Sequence, residues 1–373
     1  MMEPPRISSF REDAAAMDRV LLACALTLTL WGILCIYSAA AGPHGRGGDF
    51  ALRQFGFLGL SVVAMFAILA IGCHRLLDAA YPLYAFTLFV LLATVVLAPK
   101  VKGAHSWMAL GGFRFQPSEF AKVSLILMLS KVLSRYPPLS VRPFAIGVGA
   151  MLPAVLLVLM QPDAGSALVY LVISFGMIFA AGAPIRYFLA IGGAGVLMLP
   201  FLWLGLKEYQ KMRLLVFLDP MLDPLGAGYN VIQSRIAVGS GGFWGKGFLL
   251  GMQSKLRFLP EPHTDFIFSV SSEEFGFLGG IVVLLLFAVL FCRIVGAGLR
   301  SRDRRAKLIA AGVVSWIWVQ TFESIGMSVG LMPVTGLPLP FLSYGGSSLL
   351  SLFMGLGLVG SVYVEGTRRP YYF

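Results

Sequence analysis

The sequence predicts an all-α fold, a polytopic helical membrane protein of about ten transmembrane helices with both termini cytoplasmic. Three observations predict it. Apolar residues make up 58% of the 373 positions and charged residues only 13%, against about 25% charged in soluble domains. Apolar runs of spanning length recur from end to end without a soluble-looking stretch, so residues 1–373 read as a single integral membrane domain. Basic residues also collect in alternate loops, which gives the spans a direction.

The runs lie at about 19–41, 54–72, 79–98, 118–134, 143–160, 165–184, 187–206, 266–295, 307–331 and 347–364. Backbone groups cannot stay unpaired in hydrocarbon, so these must be helices or a closed barrel. They are too long and too uniformly apolar for barrel strands of about ten alternating residues. The first run follows Arg19 but exceeds a signal peptide's apolar region and lacks an obvious cleavage site, so it reads as a retained span.

With the amino terminus inside, the cytoplasmic loops hold Arg75, then Lys131, Arg135 and Arg142, then Arg186, then Arg300, Arg302, Arg304, Arg305 and Lys307. The termini add Arg6, Arg11, Arg19, Arg368 and Arg369, while the short loops opposite carry Arg46, Arg53, Lys100, Lys102 and Arg114. The net charge of +11 therefore reports orientation and gives no reason to expect nucleic acid as a partner. Cys24, Cys35, Cys73 and Cys292 lie in or at the ends of spans without metal-ligand spacing and read as packing residues.

Two loops depart from the short connections elsewhere. Residues 207–265 form a long segment on the outer side, rich in Gly, Lys and Arg but retaining Phe217, Tyr229, Phe243, Trp244, Phe248 and Phe258. Loops of that length are functional or disordered, and this apolar content argues for order. Ile232–Val238 reads as a short helix and Gly239–Gly247 as tight turns with positive φ, the whole lying back over the outer mouth of the bundle. The second, residues 332–348 (MPVTGLPLPFLSYGGSS), alternates apolar residues with prolines and reads as a segment dipping into the bundle.

Ionisable groups are so few that each position carries meaning. Asp265 ends the LPEPHTD segment at the mouth of the eighth span, with Glu273 and Glu274 about two turns further on. Glu119 and Lys122 share a helix face at i, i+3. Asp163 sits in QPDAGSAL at the junction of the fifth and sixth spans, and Glu323 lies deep in the ninth. Each also has a structural reading. Ser118 and Asp163 suit helix caps, Asp265 could cap the eighth helix, and Glu119–Lys122 could be an ion pair only.

The segments KGAHSWMALGGFRFQPSEFAK, QPDAGSAL, DPLGAGYNVIQSRIAVGSGGFWGKG, LPEPHTDFIFSVSSEEFGFLG and LMPVTGLPLPFLSYGGSS, in that order, resemble the signature segments of the SEDS family, the shape, elongation, division and sporulation proteins of bacteria. GLPLPF and DPLGAGY are more similar to the RodA branch than to the FtsW division branch. The resemblance implies a peptidoglycan glycosyltransferase of the bacterial inner membrane that polymerises lipid II at the outer face during elongation. It implies Asp265 as the catalytic residue, and Glu119, Lys122, Asp163, Gln233, Ser234, Glu261, His263 and Thr264 at the substrate. Ser106 stands where family members commonly carry Arg, leaving Lys102 and Arg114 as nearby cations.

The implied chemistry suits these residue types. A carboxylate at Asp265 would take the proton of the acceptor sugar hydroxyl, which attacks the donor's anomeric carbon with inversion. The leaving lipid pyrophosphate needs charge neutralisation, and Lys211, Arg213, Arg235, Lys246, Lys255 and Arg257 are available, with the planar fork of Arg213 the best match to phosphate oxygens. No motif establishes a cofactor, though a divalent cation is compatible with the pyrophosphate. The resemblance implies undecaprenyl-pyrophosphate-linked glycan and lipid II as substrates, and a class B penicillin-binding protein with the elongation machinery as partners. A lipid II flippase and a non-catalytic scaffold are the rival readings.

Overall fold

The computed structural model describes residues 10–41, 47–98, 106–110, 113–205, 208–226, 228–256 and 258–368. The chain runs α1 (Phe10–Ala16), α2 (Arg19–Ala40), α3 (Gly47–Ile71), α4 (Cys73–Asp78), α5 (Ala80–Leu97), a short hairpin of β1 (Met108–Leu110) and β2 (Phe113–Phe115), α6 (Pro117–Arg135), α7 (Val141–Met160), α8 (Ala164–Ala180) and α9 (Ile185–Gly205). It continues through α10 (Glu208–Leu218), a 3-10 turn at Pro220–Leu222, α11 (Tyr229–Ser240), α12 (Met252–Lys255), α13 (Ile267–Arg300), α14 (Arg304–Val329) and α15 (Gly346–Arg368).

Among the described residues, seven helices, α2, α3, α5, α7, α13, α14 and α15, are long and apolar enough to cross a membrane. With α6, α8 and α9 they account for the ten spans expected. Helix α6 falls outside the seven because Glu119, Lys122, Lys131 and Arg135 interrupt it, yet it is buried almost throughout from Pro117 to Leu133. It is a central helix whose Glu119 and Lys122 face protein, while Lys131 is half-buried and Arg135 exposed at its far end. Leu125, Ile126 and Leu129 of α6 share the core with Val313, Trp316 and Ile317 of α14 and Phe353 and Leu356 of α15. The peripheral helices turn Leu60, Phe86, Phe89 and Leu156 outward, where acyl chains rather than water would solvate them. Helix α9 is exposed along most of its length, with Phe188 near its start set edge-on against Phe144, Phe175 and Phe179.

The long segment is ordered and mostly helical. Its α11 extends the expected short helix to twelve residues and packs on α13 and α14, and Gly242, Gly245 and Gly247 have the expected positive φ. The run read as the eighth span is α13, and it carries a break. Gly276 sits at φ 64°, ψ −161° inside α13, a conformation that L side chains rarely adopt. The break frees backbone groups that the glycine segment takes up. Phe277 N–H donates to the Gly242 carbonyl (2.9 Å), while Lys246 and Gly247 N–H donate to the Glu273 and Glu274 carbonyls (both 3.0 Å). A Cβ on Gly276 or Gly245 would overlap the opposing backbone, so the two strands of this contact must both be bare.

Residues 332–348 do enter the bundle. Leu337, Leu339, Phe341 and Leu342 are buried, and α2 approaches so closely that a Cβ on Gly32 would strike the Leu342 carbonyl. The segment thus reaches well below the start of α15, enclosed by protein on the sides that would otherwise meet lipid.

Candidate active site

The turn carrying Asp265 is docked onto this inserted segment by its backbone. Tyr344 N–H donates to the His263 carbonyl (2.9 Å), and Ser343 Oγ donates to the Thr264 carbonyl (2.6 Å). Ser343 Oγ in turn accepts from Leu339 N–H at 2.8 Å. Buried Gln54 of α3 clamps the other side, donating to the Ser343 carbonyl and accepting from Gly345 N–H, each at 3.2 Å. His263 completes an aromatic cluster with Phe50 and Tyr344, at centroid separations of 4.9 and 5.8 Å. Glu261 is exposed and left-handed, with φ 46°, and its carbonyl accepts from Thr264 N–H at 3.2 Å.

Asp265 does not cap α13. The cap position is Phe266 and has no side-chain hydrogen bond. The Asp265 carboxylate is half-buried and lies against the Gly336 backbone, where a Cβ would sit 3.5 Å from its Oδ2. It is within electrostatic reach of Glu323, whose Oε1 accepts from Thr335 Oγ1. Glu323 is only 2% exposed, and its Oε2 has no hydrogen-bond partner among the described residues. Gln320, Thr321 and Ser324 on the same two turns of α14 also hold buried polar atoms without described partners. Such a cluster marks a place where water or a ligand group completes the bonding.

The other expected residues divide. Lys122 Nζ meets Glu119 Oε1 at 2.6 Å, with the two side chains 0% and 2% exposed. Ser351 Oγ donates to the second Glu119 oxygen at 3.2 Å, and Lys122 lies 5.1 Å from the Trp316 ring centroid. This is an enclosed ion pair. Asp163 caps α8, accepting from Ser166 N–H (2.9 Å) and Ser166 Oγ (2.8 Å), and Gln116 Nε2 reaches its Oδ2 at 3.5 Å. Ser118 is not the cap of α6. Gln116 holds that position because Pro117 occupies the first helical turn, and the Ser118 hydroxyl is buried without a described partner.

Ser234 is buried between helices, bonded to Ser269 Oγ and the Ser328 carbonyl, both at 2.7 Å, so it ties α11 to α13 and α14. Gln233 beside it is half-buried. Arg235 donates to the Gly330 carbonyl at 2.9 Å and Lys246 pairs with Glu273 at 2.7 Å, so both of these cations have local partners. Lys102 and Arg257 lie outside the described residues, as do the side chains of Arg114 and Arg213. Ser106 is buried, its hydroxyl without a described partner.

Sequence reading singled out Asp265 but not its setting. Gln54 lies in no motif, Thr335 lies in the quoted 331–348 segment without being singled out, and the break after Glu273–Glu274 was signalled only by one glycine in an apolar run. An apolar groove of about 550 Å³ opens between α8 and α14, lined by Leu171, Val172, Phe175, Val314 and Trp318 among others, without a titratable group.

Together these features define a polytopic helical membrane protein whose accessible carboxylate stands at one end of the bundle, on a turn fixed by an inserted loop. The family model described as "Cell cycle protein", which joins FtsW, RodA and SpoVE, matches residues 18–368, and the chain belongs to that family. It is 38% identical over 361 residues to the peptidoglycan glycosyltransferase MrdB of Escherichia coli K12, covering 95% of each chain. It is 39% identical to the stage V sporulation protein E of Bacillus subtilis, covering 92% of this chain and 96% of that one. Among solved structures, a chain from a study of polymerisation and crosslinking by a peptidoglycan synthase complex superposes with a TM-score of 0.82 at 37% identity, covering 95% of this chain and 99% of that one. The Thermus thermophilus rod shape determining protein RodA gives 0.71 at 32% identity, covering 93% and 96%.

Proposed function

We infer that this chain is a peptidoglycan glycosyltransferase of the RodA kind, polymerising lipid II with Asp265 as general base. The observation that carries the residue assignment is the placement of Asp265: half-buried, one residue before the cap position of α13, on a turn held by Tyr344, Ser343 and Gln54. A general base must keep its position while remaining open to the hydroxyl it deprotonates. Family membership supports the reaction class, and the relatives named as peptidoglycan glycosyltransferases support the substrate.

In this reading an Asp265 oxygen takes the proton from the acceptor sugar hydroxyl. The freed oxygen bonds to the donor's anomeric carbon as the bond to the lipid pyrophosphate breaks, with inversion. The pyrophosphate leaves as an anion, and cations of the 207–265 segment, Arg213 first among them, neutralise it. The apolar groove between α8 and α14 gives polyprenyl chains a place against the bundle. The Asp265 end then faces the periplasm or cell exterior. The opposite end, with Arg75, Arg135, Arg186 and Arg300 to Arg305, faces the cytoplasm of a bacterial inner membrane. A class B penicillin-binding protein and the elongation machinery are the partners this role requires.

Labelled lipid II in liposomes tests the reading, with wild type and Asp265→Ala compared alone and with the cognate penicillin-binding protein. Polymer from wild type and none from a folded, partner-bound variant is the expected result. Equal polymer from both removes Asp265 from the chemistry, and none from either, partner included, favours lipid translocation instead.

A further inference from the structure

At the end of the bundle opposite Asp265, the fold brings two adjacent donors together with a third nearly 300 residues away. Cys73 and His74 open α4, and Glu365 lies in the last turn of α15, about 28 Å from its Gly346 start by helical rise. The thiol, imidazole and carboxylate donor atoms all lie within 4.8 Å of one another. Cys73 Sγ is 3.4 Å from Glu365 Oε2, while His74 Nε2 is in contact with Glu365 Oε1. We propose that Cys73, His74 and Glu365 bind a zinc ion that fastens α15 to α4 at the cytoplasmic end.

The 3.4 Å between Cys73 Sγ and Glu365 Oε2 suits a tetrahedral ion, and His74 would draw back from its contact with Glu365 to admit one. Bonds of about 2.3 Å to sulfur and about 2.0–2.2 Å to nitrogen or oxygen place neighbouring ligand atoms roughly 3.3–3.8 Å apart. A thiolate, an imidazole and a carboxylate favour zinc over magnesium or calcium, which prefer all-oxygen sites. The shell behind the donors fits as well. Asp303 Oδ2 stands 3.8 Å from the other nitrogen of His74, outside hydrogen-bond range but close enough to fix the tautomer of a metal-bound histidine after a small approach. Arg305 also approaches that nitrogen, at 3.5 Å, but its guanidinium is paired with Asp303 at 3.0 Å.

The Cys73 thiol donates to Glu365 Oε2 at 3.4 Å, so its proton lies where a metal would have to sit. Zinc would displace that proton to solvent and form the sulfur–metal bond in its place. His74 is 45% and Glu365 21% exposed, so the site opens to solvent and leaves a fourth position for water.

The test uses full-length protein purified in detergent with a histidine-free tag, stripped with chelator and titrated with cobalt(II), then zinc(II). Expected are one bound cobalt per chain, a thiolate-to-cobalt charge-transfer band in the near ultraviolet, and loss of that band when zinc displaces it. Cys73→Ser should abolish the band, His74→Ala should weaken binding by at least about tenfold, and Asp265→Asn should bind as wild type does. Size-exclusion profiles matching wild type keep the variants interpretable. Failure of folded wild type to bind either metal, or equal binding by Cys73→Ser, would overturn the proposal and leave an ion pair of His74 with its carboxylates.

Discussion

Glu119 and Asp265 each place a carboxylate near the start of a helix, and the molecule surrounds them in opposite ways. Glu119 is sealed with Lys122 under Ser351 and Trp316, with essentially no surface. Asp265 remains half-buried on a turn whose hydrogen bonds are made almost wholly by backbone and by neighbouring side chains. The cost of burying a charge decides the difference. An enclosed ion is tolerated only with a partner in contact, and a carboxylate so satisfied has little capacity left for a substrate proton. In the proposed reading the half-buried carboxylate is the reactive one and the sealed pair the structural one.

Substitutions can break this contrast. The largest effect belongs to Asp265→Ala, expected to lower polymerisation by about 10²–10⁴-fold, the usual contribution of a general base, while the thermal midpoint stays that of wild type. Lys122→Met should do the reverse, losing about 3–5 kcal/mol of stability by stranding the Glu119 charge. Adding Glu119→Gln should restore part of it, and a denaturation series on both variants gives the coupling directly. If Lys122→Met instead left stability intact and only slowed turnover, the pair would belong with Asp265.

Glu323 sharpens the contrast because it shares features of both regions: deeply buried, yet with one oxygen lacking a described partner beside Asp265. Glu323→Gln keeps an acceptor for Thr335 and is expected to lower kcat by about tenfold, or about 1.4 kcal/mol, at unchanged stability. A fall in melting temperature without a change in kcat would place it with the sealed pair. The smallest effect is expected of Asp163→Ala, about 1 kcal/mol of stability from the lost cap on α8, with turnover per folded molecule preserved.

The sequence made the spans legible because hydrocarbon leaves few options for a backbone, and ten runs correspond to ten long helices. Glu119–Lys122 could be paired from spacing alone, since i, i+3 fixes the face. Asp163 was legible as the cap of α8, whereas the cap of α6 falls on Gln116 rather than Ser118 because Pro117 occupies the first turn of that helix. The clamp of Gln54 on residues 343–345 and the meeting of Cys73 with Glu365 join positions nearly 300 residues apart, and no local pattern encodes such contacts. The break at Gly276 was hidden because a hydropathy window averages over a single residue.

That break determines how a push would travel. The stretch from Ile267 to Phe275 is joined to the segment between α9 and α13 through Ser234, Lys246 and the Glu274 carbonyl, and to α2 through Trp31 with Ser271 and Ser38 with Glu274. A protein leaning on that outer segment would therefore press on the Asp265 turn and on α2 together, as a bracket shares its load between two posts, while the break at Gly276 interrupts the helical ladder leading into the rest of α13.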